Sequence, residues 1–133
     1  MNIIGIGVDI VDNTRIKKSI KNKNFISRVF SKEEINQSKK IKDKTNYYSK
    51  RFAAKESLSK AIGTGFRNDL NFKDITIVND KYGKPRYKLN NKAKKLIYSK
   101  FKVKNIKISL SLADEKKYSI AFSVIHKWLV KAQ

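Results

Sequence analysis

Residues 3–11 read IIGIGVDIV, an alternation of period two that commits this end of the chain to a β-strand. Ile4, Ile6, Val8 and Ile10 share one face, and Gly5, Gly7, Asp9 and Val11 share the other, so the strand has one apolar face. Aspartate is depleted in strands, and Asp9 therefore needs a reason. The flanking glycines leave room beside it for something to approach. Two readings stand: a functional carboxylate, or a residue that ends the strand and caps the next helix. Asp12 and Asn13 are better placed to cap. The segment lacks the charged start and long apolar run of a signal peptide, and nothing downstream approaches a membrane span, so a cytoplasmic protein is expected.

A short basic helix, TRIKKSIKN, follows from Asn13 or Thr14 with Ile16 and Ile20 on its buried side. After Phe25, Ser31 and Glu34 are spaced as a capping box, which starts a second helix running to about Lys42. A third and longer helix spans about Thr45 to Ile62 and ends at Gly63 and Gly65. Beyond it FKDITIV and RYKL read as strands around the turn NDKYGKP. NNKAKKLIYSKF then makes an amphipathic helix with Ala93, Leu96, Ile97 and Phe101 inward. Two long strands, VKNIKISLSL and YSIAFSVIHKWL, close the chain around ADEKK. No repeat or linker interrupts it, so residues 1–133 are expected to form one α+β domain.

The third helix carries RFAAKESLSKAIGTG, residues 51–65. Phe52, Glu56 and Lys60 recur every fourth residue along one stripe, beside a second stripe of Arg51, Lys55 and Ser59. One reading is a solvated helix with a Glu–Lys pair. The other is a metal carboxylate among cations that grip phosphate. Metal chemistry is constrained: there is no cysteine, and His126 is the sole histidine, so any metal must be held by the oxygens of seven Asp and four Glu. That donor set suits a hard cation such as Mg²⁺.

The net charge of +21 implies an anionic partner. It comes from 27 Lys and 5 Arg, a lysine excess that argues against specific nucleic-acid contacts, which lean on arginine. The arginines that persist, Arg15, Arg28, Arg51, Arg67 and Arg86, are correspondingly informative.

With Asp9 and Glu56 in hand, the chain resembles the holo-[acyl-carrier-protein] synthases, the short class of 4′-phosphopantetheinyl transferases. Four segments carry the resemblance: GIGVDIVDNTRI, FISRVFSKEE, RFAAKESLSKAIGTG, and the GKP turn with ISLSL and YSIAFSVI of the closing strands. The resemblance implies an antiparallel sheet packed with helices, one long helix carrying the active-site Glu. It implies Mg²⁺-dependent transfer of the phosphopantetheine arm of coenzyme A to a serine of an acidic acyl carrier protein, with release of 3′,5′-ADP, in the service of fatty acid biosynthesis. Asp9 and Glu56 would hold Mg²⁺, and Lys60 would contact the pyrophosphate. Arg51 and Lys55 would meet phosphates of the nucleotide end, and Gly63, Thr64 and Gly65 would let the backbone come close to coenzyme A. Arg15, Phe25 and Arg28 would dock the carrier protein. The family resemblance further implies a homotrimer with active sites at subunit interfaces, and neither nucleic acid nor membrane as a partner. The acceptor of the serine proton stays open between Glu56 and a metal-bound water. One departure stands out: Lys107 and Leu112 of KISLSL occupy places where histidines are expected.

Two other readings compete. A small basic nucleic-acid-binding protein would use Phe25, Tyr47, Tyr48, Tyr82 and Tyr87 to stack on bases. A degenerate homologue would bind coenzyme A or carrier protein without turnover.

Overall fold

The computed structural model describes residues 2–64 and 70–128. The elements run β1 (Asn2–Asp12), α1 (Asn13–Ser19), α2 (Lys23–Val29), α3 (Lys32–Ser38) and α4 (Lys44–Ile62), then a 3-10 turn (Phe72–Asp74), β2 (Ile75–Asn79), β3 (Pro85–Leu89), α5 (Asn91–Phe101), β4 (Ile106–Asp114) and β5 (Tyr118–Lys127). Strands β1, β5 and β4 form an antiparallel sheet in that order, and β2 pairs with β3 in a separate hairpin. This is the expected α+β architecture.

Local chemistry accounts for the helix ends. Asp12 caps α1 by accepting from the Thr14 amide at 2.8 Å, which frees Asp9 from that task. Ser31 and Glu34 form the expected capping box, with the Ser31 amide donating to Glu34 Oε1 at 2.9 Å. Helix α4 stops at Gly63, whose φ of 89° suits glycine. Two expectations are corrected. Helix α2 was not anticipated, and α3 ends at Ser38 instead of continuing to about Lys42. There Ser38 Oγ donates back to the Ile35 carbonyl, and Lys44 Nζ draws off the carbonyls of Ser38 and Ile41.

Helix α4 is buried round most of its circumference, with β1 and β5 on one side and α3 and β2 on the other. The side of β1 that meets it is the glycine side. A Cβ at Gly5 would lie 2.2 Å from the Ala61 carbonyl oxygen, and one at Gly7 only 1.9 Å from that of Ser57. The apolar face of β1 points away: Ile6, Val8 and Ile10 are 61%, 55% and 60% exposed. The register sets Val124, Phe122 and Ile120 of β5 across from them, so the outer face of this sheet carries a continuous apolar patch.

Candidate active site

Asp9 lies on the glycine side of β1, facing α4 across the gap that Gly7 allows. Glu56 and Lys60, one helical turn apart on α4, face it in turn. Lys60 Nζ donates to Asp9 Oδ1 at 3.0 Å and to the Val8 carbonyl at 3.1 Å, tying helix to strand at the acid. Burial, and then the neighbouring charge of Asp9, hold the half-buried Glu56 carboxyl above its ordinary range, against the pull of Lys60 and Arg15. A half-buried carboxyl beside a second carboxylate is suited to a hard cation, whose charge offsets both burial and repulsion. Waters and substrate oxygens would complete its shell, for no cluster of three or more acidic or histidine ligands occurs among the described residues. The Lys60 side chain remains 54% exposed, so the site is open on that side.

The remaining expected residues divide. Gly63 and Thr64 lie at the exit of α4, whereas Gly65 and Arg67 fall outside the described residues. Arg51 is buried on another flank of α4: its guanidinium sits 3.6 Å from the Tyr47 ring centroid and donates to the Tyr47 carbonyl. It borders a cavity of about 260 Å³ with Glu34 and Asn79 on its walls, away from Asp9. Burial lowers its pKa, with the charge of Glu34 acting in the opposite sense. Arg15 and Arg28 are exposed on α1 and α2, and the Arg15 charge reaches Glu56. Phe25 is half-buried and packs α2 on α4, its ring centroid 6.1 Å from those of Phe30 and Phe52.

Lys55 corrects the sequence reading. Its side chain is fully buried and its ammonium bonds to Glu34 Oε1 at 2.6 Å and to three backbone carbonyls, so it does not reach a phosphate. Burial lowers its pKa, and the Glu34 carboxylate pushes back. Sequence reasoning saw Glu34 as a capping residue and as part of the FISRVFSKEE resemblance, not as the partner of Lys55. Nor did it anticipate the hydroxyl cluster under α4, in which Ser123 Oγ lies 2.6 Å from both Ser57 Oγ and Tyr87 OH. At the KISLSL departure, the register places His126 directly opposite Lys107, and His126 Nε2 lies 3.0 Å from Ser109 Oγ.

Of the five aromatics needed for base stacking, Tyr47 and Tyr48 are buried, and Phe25 and Tyr87 are half-buried in packing contacts. Only Tyr82, at the β2–β3 turn, is open. Among the described residues no helix is long and apolar enough to cross a membrane.

A model of the 4′-phosphopantetheinyl transferase superfamily matches residues 5–123. The chain is 59% identical over 127 residues to the holo-[acyl-carrier-protein] synthase of Pelagibacter ubique, an alignment covering 96% of this chain and 99% of that one. Among solved structures it is similar to the Neisseria meningitidis holo-[acyl-carrier-protein] synthase, with a TM-score of 0.86 and 36% identity over 95% of this chain and 100% of the other. It also resembles the Bacillus anthracis synthase in complex with CoA (3′,5′-ADP), with a TM-score of 0.79, 32% identity, and coverage of 95% and 98%.

Proposed function

The chain belongs to the 4′-phosphopantetheinyl transferase superfamily, and from that membership we infer that it moves the phosphopantetheine arm of coenzyme A onto a serine of an apo-acyl carrier protein. The observation that carries the reading to particular residues is the meeting of Asp9, Glu56 and Lys60 across the β1–α4 contact.

The serine oxygen forms a bond to the phosphorus that bears the pantetheine arm. The bond from that phosphorus to the bridging oxygen breaks, and 3′,5′-ADP leaves with the electron pair. The serine proton passes to a base. The nucleophile belongs to the carrier protein, so this chain needs no nucleophile of its own. Positioning and charge neutralisation make up most of such catalysis. Asp9 and Glu56 would hold Mg²⁺, which supplies positive charge to the pyrophosphate oxygens. Lys60, exposed and on a flexible stem, exchanges its Asp9 contact for a pyrophosphate oxygen and adds a second positive charge at the leaving group. Gly63 and Thr64 give coenzyme A a close approach to the backbone at the helix exit. Arg51 Nε, buried without a hydrogen-bond partner among the described residues, supports assigning that guanidinium to a phosphate of the nucleotide end. Exposed Arg15 and Arg28, with the open edge of Phe25, receive the acidic carrier protein, and the lysines of α1 steer it.

The test is metal removal. With chelator in excess, release of 3′,5′-ADP from coenzyme A and an apo-carrier protein should stop, and added Mg²⁺ should restore it. Release that ignores chelation contradicts the roles of Asp9 and Glu56.

The apolar outer face of β1 and β5 supports a homotrimer. A neighbour covering Ile6, Val8, Ile10 and Phe122 would lie against the strand whose opposite face carries Asp9. Phe122→Glu should convert the assembly to monomers in light scattering and slow transfer by about tenfold or more, since it forces a charge into the contact. An assembly unchanged by this substitution contradicts the assigned interface.

A further inference from the structure

Lys55 stands immediately before Glu56, and a helix turns by about 100° per residue, so fixing the direction of one side chain fixes that of the next. Few side chains are held as firmly as this one. An ammonium has three N–H donors, and Lys55 Nζ finds four oxygens within 3.0 Å: Glu34 Oε1, and the carbonyls of Ile75 at 2.7 Å, Val29 at 2.9 Å and Phe72 at 3.0 Å. Val29 is the last residue of α2, Glu34 lies in α3, Phe72 opens the 3-10 turn, and Ile75 begins β2. Four separate elements therefore converge on one buried cation. Glu34 is equally committed. Its Oε1 also accepts from the Ser31 amide, its Oε2 accepts from the Ile77 amide at 3.0 Å, and its carbonyl takes the Tyr47 hydroxyl at 2.6 Å.

On its opposite side α4 rests on the glycine side of β1 and on Ser123 of β5. The helix is thus gripped from two sides, by the Ser57–Ser123 hydrogen bond and the glycine contact on one and by the buried ion pair with its three carbonyls on the other. Packing alone would hold α4 as a cylinder free to roll by a few degrees. A buried ion pair with fixed acceptors resists roll, because turning the helix pulls Nζ off oxygens that belong to other elements.

We propose that the Lys55–Glu34 pair is a positioning device for the active site, setting the roll of α4 so that Glu56 and Lys60 stay aimed at Asp9. Neither residue touches substrate. The proposal rests on the functional reading above.

The experiment compares the parent with Lys55→Met/Glu34→Gln, which removes both charges together and leaves the Gln carbonyl oxygen to accept from one of the Ser31 and Ile77 N–H groups. Removing both charges avoids stranding one of them in the core. The readouts are melting temperature, Mn²⁺ affinity from the electron paramagnetic resonance of free Mn²⁺, and kcat and KM for coenzyme A. The double variant should stay folded, bind Mn²⁺ about tenfold or more weakly, and lose about tenfold or more in kcat with KM for coenzyme A little changed. A folded double variant with parental Mn²⁺ affinity and kcat overturns the proposal. If it does not fold, Lys55→Met alone decides, because Glu34 keeps its two backbone N–H donors while all four contacts of the ammonium are lost: weakened Mn²⁺ binding supports the device and unchanged binding overturns it. A parent that binds no Mn²⁺ overturns the reading of Asp9 and Glu56, and this proposal with it.

Discussion

Asp9→Ala should slow phosphopantetheine transfer by about 10³-fold or more while leaving the protein folded, because several kcal/mol of charge stabilisation is lost at about 1.4 kcal/mol per factor of ten. Asp9 caps no helix, its hydrogen-bonding partner Lys60 is exposed, and its strand is held by the β5 register on one side and α4 on the other. Little stability depends on the carboxylate itself. Asp9→Asn sharpens the result. It keeps an oxygen for Lys60 Nζ and removes the charge, so a role limited to the Asp9–Lys60 tie would survive it, whereas a role in holding a cation would not. Glu56→Gln should match it in magnitude for the same reason. Steady-state rates at saturating Mg²⁺, with circular dichroism as the folding control, decide the matter. An Asp9→Asn protein at near-parental rate would remove Asp9 from the site.

The largest effect on stability is expected at Gly7. An added Cβ would sit 1.9 Å from the Ser57 carbonyl oxygen and 2.7 Å from the Ala61 amide nitrogen, both backbone atoms of α4 that no rotamer change can move. Helix and strand must separate, at a cost of about 3 kcal/mol or more, and a domain of this size should melt about 10 °C lower. Gly63→Ala is the useful contrast. Its φ of 89° is strained for alanine, but nothing among the described residues lies within 4 Å of the new Cβ, so the cost is only about 1 kcal/mol. Activity should fall with Gly7→Ala well beyond the loss of folded protein, because the same separation carries Asp9 away from Glu56 and Lys60. Thermal melts of both variants side by side test this, and equal shifts would show that the close approach of α4 to β1 is not what Gly7 provides.

Gly7 also shows what the sequence could and could not convey. Helical spacing placed Glu56 and Lys60 on one stripe, and an acid inside a strand marked Asp9, so the central cluster was legible from two short segments. The orientation of β1 was not. Alternation distinguishes two faces but does not say which meets the helix, and here the glycines make the inner surface because they let backbone approach backbone. The isoleucines and valine are left on the exposed face. Lys55 misled for a related reason. Its helical stripe puts it beside Arg51, but the partner that makes its burial tolerable, Glu34, lies 21 residues away, and no local pattern announces a pairing at that separation. Helix α2 escaped notice because it is a single short element with only Val29 fully buried. The placement of His126 opposite Lys107 depends on the β4–β5 register, which the spacing of residues around ADEKK leaves open until the turn is centred.

The central claim is that this chain attaches phosphopantetheine to a carrier protein through the Asp9–Glu56–Lys60 cluster. Intact-mass spectrometry of an apo-acyl carrier protein, incubated with coenzyme A, Mg²⁺ and either the parent protein or Asp9→Asn, tests it most directly. The account predicts a mass gain of one phosphopantetheine group on the carrier's serine with the parent, and almost none over the same interval with Asp9→Asn. An unmodified carrier in both reactions, across several acidic carrier proteins, would contradict the activity. Equal modification in both would leave the activity standing and remove the site from where it has been placed.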